Sequence, residues 1–253
     1  MPLHAPIALV TRGKKDQAGE DPLVSHLQAL SVPVKHIPVV TQQMLNEREN
    51  IPTAREVDWL VFTSAHAVYY FACLMPGKEW MSADIRVATV GPKTAEAAVS
   101  KGFTVDLVPE KTYTAETLAE GLGDAIIPGE TTILIPKSKQ ARKVLPDYLA
   151  NRGAKVVDPA IYETEVRTES AHALDTFLKT QNVGIITFTS PSAVHAFKQM
   201  QPDFPKWPAI CIGTITAKAA SEAGFSHVEA AFPHTLASLA ERVSNYTIEV
   251  SNQ

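Results

Sequence analysis

Two short phrases, each written twice, hold most of the residues that could do chemistry. FTSAHAV (62–68) and FTSPSAV (188–194) put Thr-Ser where an apolar run ends, and VGPKTA (90–95) and IGTITA (212–217) put a glycine ahead of a threonine. Side chains of this kind cap helices. The backbone N–H groups that follow lack intrahelical partners and carry the positive end of the helix dipole, so carboxylate or phosphate is stabilised there. The candidate anion-binding set is therefore Ser64, Gly91 and Thr94 in the first half and Ser190, Ser192, Gly213 and Thr216 in the second. Taken singly, each also fits a helix start with no ligand.

Arg12 and Lys137 follow the first apolar run of each half, which puts a cation at the same place in both; a solvated charge fits as well. Lys139, Arg142 and Lys143 make PKSKQARK either a carboxylate clamp or a soluble surface. There is no GxGxxG after a strand, GxxxxGK[ST], HExxH or GxSxG, and His66 and His195 do not share a register in the repeat. Nucleotide, redox and metal chemistry lose support together, and no cofactor and no metal are expected.

The elements that must position these residues come from a duplication. Phe62 and Phe188 stand 126 positions apart, Gly91 and Gly213 122, and TLAEGL (117–122) and SLAERV (238–243) 121. IALVTRG (7–13) and TILIPKS (132–138) open the two copies. A unit of about 125 residues written twice accounts for this order. Strands are expected at 7–11, 34–38, 58–63, 86–90 and 105–108, then at 132–136, 154–157, 184–189, 209–212 and 227–230. Helices are expected at 21–30, 65–75, 93–101 and 115–122, then at 141–152, 191–200, 215–224 and 235–245. Such alternation predicts an α/β protein with parallel sheets covered by helices on both faces, and five strands per unit suits a flavodoxin-like sheet. Each Thr-Ser then falls at a strand's carboxyl end, where open α/β sheets place ligands.

The chain has 253 residues, enough for two domains, with 45% hydrophobic and 20% charged residues. A formal charge of −4 gives no basic field for nucleic acid or anionic membrane, so an anionic ligand must be held locally. No apolar run approaches the roughly 20 residues of a membrane span, and the N-terminus does not read as a leader. A cytoplasmic protein is expected. Cys73 and Cys211, each in an apolar stretch, read as buried free thiols.

LVTR, VFTSAHAV, ATVGPKTAEAA, TAETLAEGL, ILIPKSKQARKVLPDYLANRGAKV, AIYET, FTSPSAVHAF and IGTITAKAASEAGF, in this order, resemble the uroporphyrinogen-III synthase family along almost the whole chain. The resemblance implies two flavodoxin-like domains joined by a two-stranded linker: 1–38 with 163–253, and 41–157, with linkers at 36–41 and 157–164. It implies cofactor-free closure of linear hydroxymethylbilane, with loss of water and inversion of ring D, in a monomer open to transient contact with the preceding pathway enzyme. By the same resemblance Tyr162 of AIYET is the proton donor to the departing hydroxyl, a packed hinge tyrosine being the alternative. Thr94 and Thr216 match the helix-start threonines, and Ser64 and Ser190 the cleft-facing strand ends. Gly13 stands where proline often follows the arginine, and GTIT replaces GPTT; both bear on loop stiffness. The rival reading is a non-catalytic binding protein for a polyanionic small molecule.

Overall fold

The computed structural model describes residues 6–13, 20–82, 84–110, 112–180, 182–201 and 207–251. In chain order its strands are β1 (Ile7–Val10), β2 (Val34–His36), β3 (Val40–Met44), β4 (Trp59–Phe62), β5 (Arg86–Thr89), β6 (Thr132–Leu134), β7 (Lys137–Ser138), β8 (Lys155–Val157), β9 (Ala160–Val166), β10 (Val183–Phe188), β11 (Ala209–Cys211) and β12 (Val228–Ala230). Its helices are α1 (Pro22–Ala29), α2 (Ala65–Leu74), α3 (Glu79–Ser82), α4 (Pro92–Ser100), α5 (Ala115–Gly123), α6 (Val144–Asn151), α7 (Ala171–Thr180), α8 (Pro191–Met200), α9 (Thr214–Ala223) and α10 (Leu236–Ser251). The chain divides into two compact units, Met1–Gln42 with Glu165–Gln253, and Gln43–Thr164.

In the first unit the sheet runs β2-β1-β10-β11-β12, every pair parallel. Period-two alternation decides which side chain faces which helix layer. Leu9, Ile186 and Phe188 pack with Leu174, Phe177, Val194 and Phe197 of α7 and α8. Their neighbours Ala8, Val10 and Ile185 point the other way, onto Leu23 and Leu27 of α1 and Leu239 and Val243 of α10.

The second unit repeats the plan as β8-β6-β4-β5, again parallel. Leu60 and Phe62 face α2 and α4, while Trp59 and Val61 face α5 and α6. Each such Leu or Phe leaving water contributes about 1.5–3 kcal/mol. Each unit mixes the two copies of the repeat. The first takes β1 and β2 from one copy and β10 to β12 from the other; the second takes β6 and β8 from the later copy and β4 and β5 from the earlier. The chain passes between the units within β3 and β9, which pair in a separate sheet of order β3-β9-β7. The ends of β2 and β8 and the starts of β3 and β9 occupy the two stretches, 36–41 and 157–164, expected to be linkers.

Helix ends follow the local chemistry. Asp21, Ser64, Thr114 and Ser190 each cap a helix through the side chain, and Pro22, Pro92 and Pro191 occupy first-turn positions. Gly102 (φ +92) and Gly224 (φ +105) take the left-handed conformation that closes α4 and α9. Phe103 and Phe225 then turn back into the core, with N–H groups donating to Ala98 and Ala220.

Four expectations change. The strand at 105–108 reduces to a single parallel bridge, Leu107 to Ala88. Beside it the Asp106 carboxylate takes the Val87 N–H at 2.7 Å, so a side chain displaces a rung of the ladder. Helix α7 was not among the expected helices, although Leu174, Phe177 and Leu178 have helical spacing and are buried. The helix expected at 141–152 begins at Val144, since the Ala141 N–H closes a turn onto the Ser138 carbonyl at 3.0 Å. Cys73 is exposed: Val68, Phe71 and Leu74 define the buried face of α2, and position 73 falls off it, whereas Cys211 is buried in β11.

Candidate functional site

The end of β4 hands over to α2 through Ser64, whose extended backbone (φ −160, ψ 154) turns its hydroxyl toward the helix start. That hydroxyl accepts the Ala67 N–H at 3.1 Å and also lies 3.1 Å from the Tyr162 hydroxyl. Tyr162, carried on β9, is 6% exposed. Its ring stacks on Tyr70 of α2 at 4.9 Å and 17°, with the His66 ring 6.3 Å away. Burial raises the Tyr162 phenol above its ordinary value, and the Ser64 hydrogen bond draws it back in part. A phenol in this setting stays neutral, so its chemistry is hydrogen-bond donation to a ligand oxygen or a leaving group.

On the adjacent strand, Gly91 opens α4 without a side-chain cap, its carbonyl receiving the N–H groups of Thr94 and Ala95 at 3.0 Å. Thr94 is buried. Thr89, fully buried at the end of β5, carries a hydroxyl without a hydrogen-bond partner among the described residues.

The first unit repeats both starts. Ser190 has the same backbone as Ser64 (φ −161, ψ 154) and accepts the Ala193 N–H at 3.3 Å, but its other contact is Ser192, at 2.9 Å. Gly213 opens α9, with Thr216 buried in its first turn. Since β4 and β5 are neighbours, as are β10 and β11, each unit sets its two helix starts side by side at the carboxyl edge of its sheet.

Both cations face aspartates. Arg12 lies 3.3 Å from Asp21, the residue that caps α1 by accepting the Leu23 N–H at 2.9 Å. Lys137 is buried and pairs with Asp158. Neither is a solvated charge: each faces an aspartate within its own unit, although the buried Arg12 Nη1 has no hydrogen-bond partner among the described residues. Lys139 pairs with Glu163 at 2.8 Å, and Arg142 and Lys143 are exposed. Among the described residues no three His, Cys, Asp or Glu side chains gather as a metal site.

Sequence reasoning passed over Tyr70, Asp21 and Asp158. A trace of Tyr70 was present: the repeat puts Ala196 in its place, so the tyrosine is a departure within an otherwise matched phrase. The two aspartates left no comparable trace.

Residues 21–241 match the family described as uroporphyrinogen-III synthase HemD. A Methanothermobacter thermautotrophicus protein provisionally named uroporphyrinogen-III synthase is 32% identical over 72% of this chain and 75% of its own length. The uroporphyrinogen-III synthase of Synechococcus elongatus is 26% identical over 79% and 76%. A solved structure, uroporphyrinogen-III synthetase from Helicobacter pylori, covers 99% of this chain and 100% of its own with a TM-score of 0.67 at 17% identity, and so shares the fold. Duplicated helix starts at the carboxyl edges of parallel sheets are thus features of a chain that belongs to the uroporphyrinogen-III synthase family.

Proposed function

We propose that this enzyme closes linear hydroxymethylbilane to uroporphyrinogen III, with Tyr162 hydrogen-bonding the departing hydroxyl. The observation that carries this reading is the Tyr162 hydroxyl held 3.1 Å from Ser64 at the head of α2. The C–O bond of the hydroxymethyl group breaks with its electron pair going to oxygen, and water leaves; the proton it carries is balanced by the one that the last ring's free α-carbon releases on final closure, so Tyr162 ends neutral. The pyrrole nitrogen stabilises the cation left on carbon. Attack by the substituted carbon of the last ring, then refragmentation and reclosure, inverts ring D. The leaving group belongs to the substrate, so the reading calls on no cofactor. A neutral phenol suits a donor that assists departure without having to ionise.

The substrate's carboxylates meet the helix starts of α2, α4, α8 and α9, with Ser64, Ser190, Ser192, Gly91, Gly213, Thr94 and Thr216 as binding residues. Arg12 and Lys137 contribute through their aspartate pairs, fixing the loops that follow β1 and β6. Both units are flavodoxin-like in this reading; the order β2-β1-β10-β11-β12 supports it, since in the unit's own strand sequence it runs 2-1-3-4-5. The paired strands β3 and β9 act as a two-stranded hinge. The enzyme works as a cytoplasmic monomer, in transient contact with the preceding pathway enzyme; no helix among the described residues is long and apolar enough to cross a membrane.

Freshly generated hydroxymethylbilane is given to the purified protein, and the oxidised uroporphyrins are separated. Isomer III above the spontaneous isomer I is the expected result. Isomer I alone, at the uncatalysed rate, would overturn the reading and leave a binding protein for a polyanion.

A further inference from the structure

The glycines that open α4 and α9 have extended backbones, φ −179 and −173, that any residue adopts. Space rather than dihedral angle explains them. A Cβ on Gly91 would lie 3.1 Å from Cβ and Cγ of Tyr113, and a Cβ on Gly213 would lie 3.0 Å from Nδ1 and 3.1 Å from Cγ of His234. Tyr113 and His234 are 121 positions apart, each one residue before a capping threonine, Thr114 and Thr235. Both copies of the repeat therefore seat a ring against the glycine that opens a helix, and the ring's identity differs while its place does not.

Seated rings of this kind could be simple packing, but these are not buried. Tyr113 is 54% exposed, and His234 is exposed too, although its Nδ1–H donates to the Ala231 carbonyl at 2.9 Å and fixes it in place. Phe232 stands edge-on to His234 at 5.9 Å and is 86% exposed, the most open large hydrophobic side chain among the described residues. Ile215, 75% exposed, is two residues beyond Gly213. Aromatic surface is thus presented to solvent beside a helix start in each unit, at the sheet edge that carries Ser64 or Ser190. A ligand combining flat aromatic rings with carboxylates fits that combination: the amides suit the anion, and the exposed ring suits the ring face.

We propose that Tyr113 in one unit, and His234 with Phe232 in the other, are substrate-contacting residues, each ring packing on a pyrrole ring whose carboxylate the adjacent helix start receives. This rests on the reading that the tetrapyrrole occupies the helix starts. It makes binding on each unit two-part, and it gives Gly91 and Gly213 the role of leaving room for the ring.

The test uses Tyr113→Ala, His234→Ala and Phe232→Ala with the conservative Tyr113→Phe and His234→Phe, each assayed for KM, kcat, isomer III fraction and Tm. The alanine variants are expected to raise KM about threefold to tenfold, with kcat and Tm nearly unchanged, and the Phe variants to restore binding. Gly91→Ala and Gly213→Ala, which displace the ring and crowd the amides, are expected to raise KM further. If the glycine variants raise KM while the ring variants do not, only the ring contact is overturned. If neither set moves KM, the helix-start reading falls as well. A surface for a partner protein would show the same unchanged KM in the ring variants, and so counts against the proposal.

Discussion

The serines that open α2 and α8 share a backbone to within one degree and the same N–H partner three residues on, yet part company at their second hydrogen bond. Ser64 meets the buried hydroxyl of Tyr162, and Ser190 meets the exposed hydroxyl of Ser192. The two copies thus share a helix start, and one of them carries a phenol on it. Tyr70 lies under Tyr162, where the other copy has Ala196. Among the described residues, a serine-capped helix start is common to the two units, whereas a buried phenol on that serine's second contact belongs to one.

The widest separation of the two units is expected in alkali. Cys211, buried in β11 of the first unit, is pushed from an ordinary 9.0 to about 12 by burial. Its raised value means that the stability it permits is complete below about pH 9 and is lost as pH rises towards 12, where the unfolded thiol ionises and the folded one does not. Unfolding of wild type and Cys211→Val across that range should differ by up to about 4 kcal/mol at the alkaline end. Tyr162 shifts in the same direction from 10.0, so Tyr162→Phe should remove a further, smaller loss above pH 10.

Removing the floor from the second unit comes next. Tyr70→Ala should cost about 3 kcal/mol by denaturant unfolding and lower kcat by freeing Tyr162, while Tyr70→Phe keeps the stack and stays within about 1 kcal/mol. Paired serine substitutions sharpen the contrast directly. Ser190→Ala removes a cap, worth about 1 kcal/mol, whereas Ser64→Ala also leaves the Tyr162 hydroxyl unpaired in the interior and should cost about 2 kcal/mol. Such a difference is readable from denaturation midpoints at constant slope; equal losses would mean that the Ser64 to Tyr162 contact contributes nothing. The smallest effect has the opposite sign. Thr89 stands where the other copy has Cys211, and its buried hydroxyl has no partner among the described residues, so Thr89→Val should stabilise by about 1 kcal/mol.

The duplication, the strand-to-helix handovers and their caps were legible because they depend on contacts within a few residues. Ser64, Pro92, Ser190, Gly102 and Gly224 occupy the positions their chemistry favours in any chain. What the local pattern leaves open clusters where a distant side chain intervenes. Asp106 turned an expected edge strand into one bridge, and Asp21 and Asp158, 9 and 21 residues from the cations they neutralise, made bound pairs of Arg12 and Lys137. Cys73 was misplaced for a simpler reason: an apolar neighbourhood in sequence does not fix which face of α2 a residue occupies.

By itself the sequence determined a twofold α/β repeat, its helix starts and the family to which it belongs, since hydrophobic periodicity and capping chemistry act locally and are written residue by residue. Tertiary structure alone decided the strand order of each sheet, that Tyr162 rests on Tyr70 and meets Ser64, and that Arg12 and Lys137 each face an aspartate. Those pairings join residues up to 177 positions apart, as Ala8 and Ile185 are in the paired strands β1 and β10. Burial and packing choose among partners that local pattern leaves equivalent.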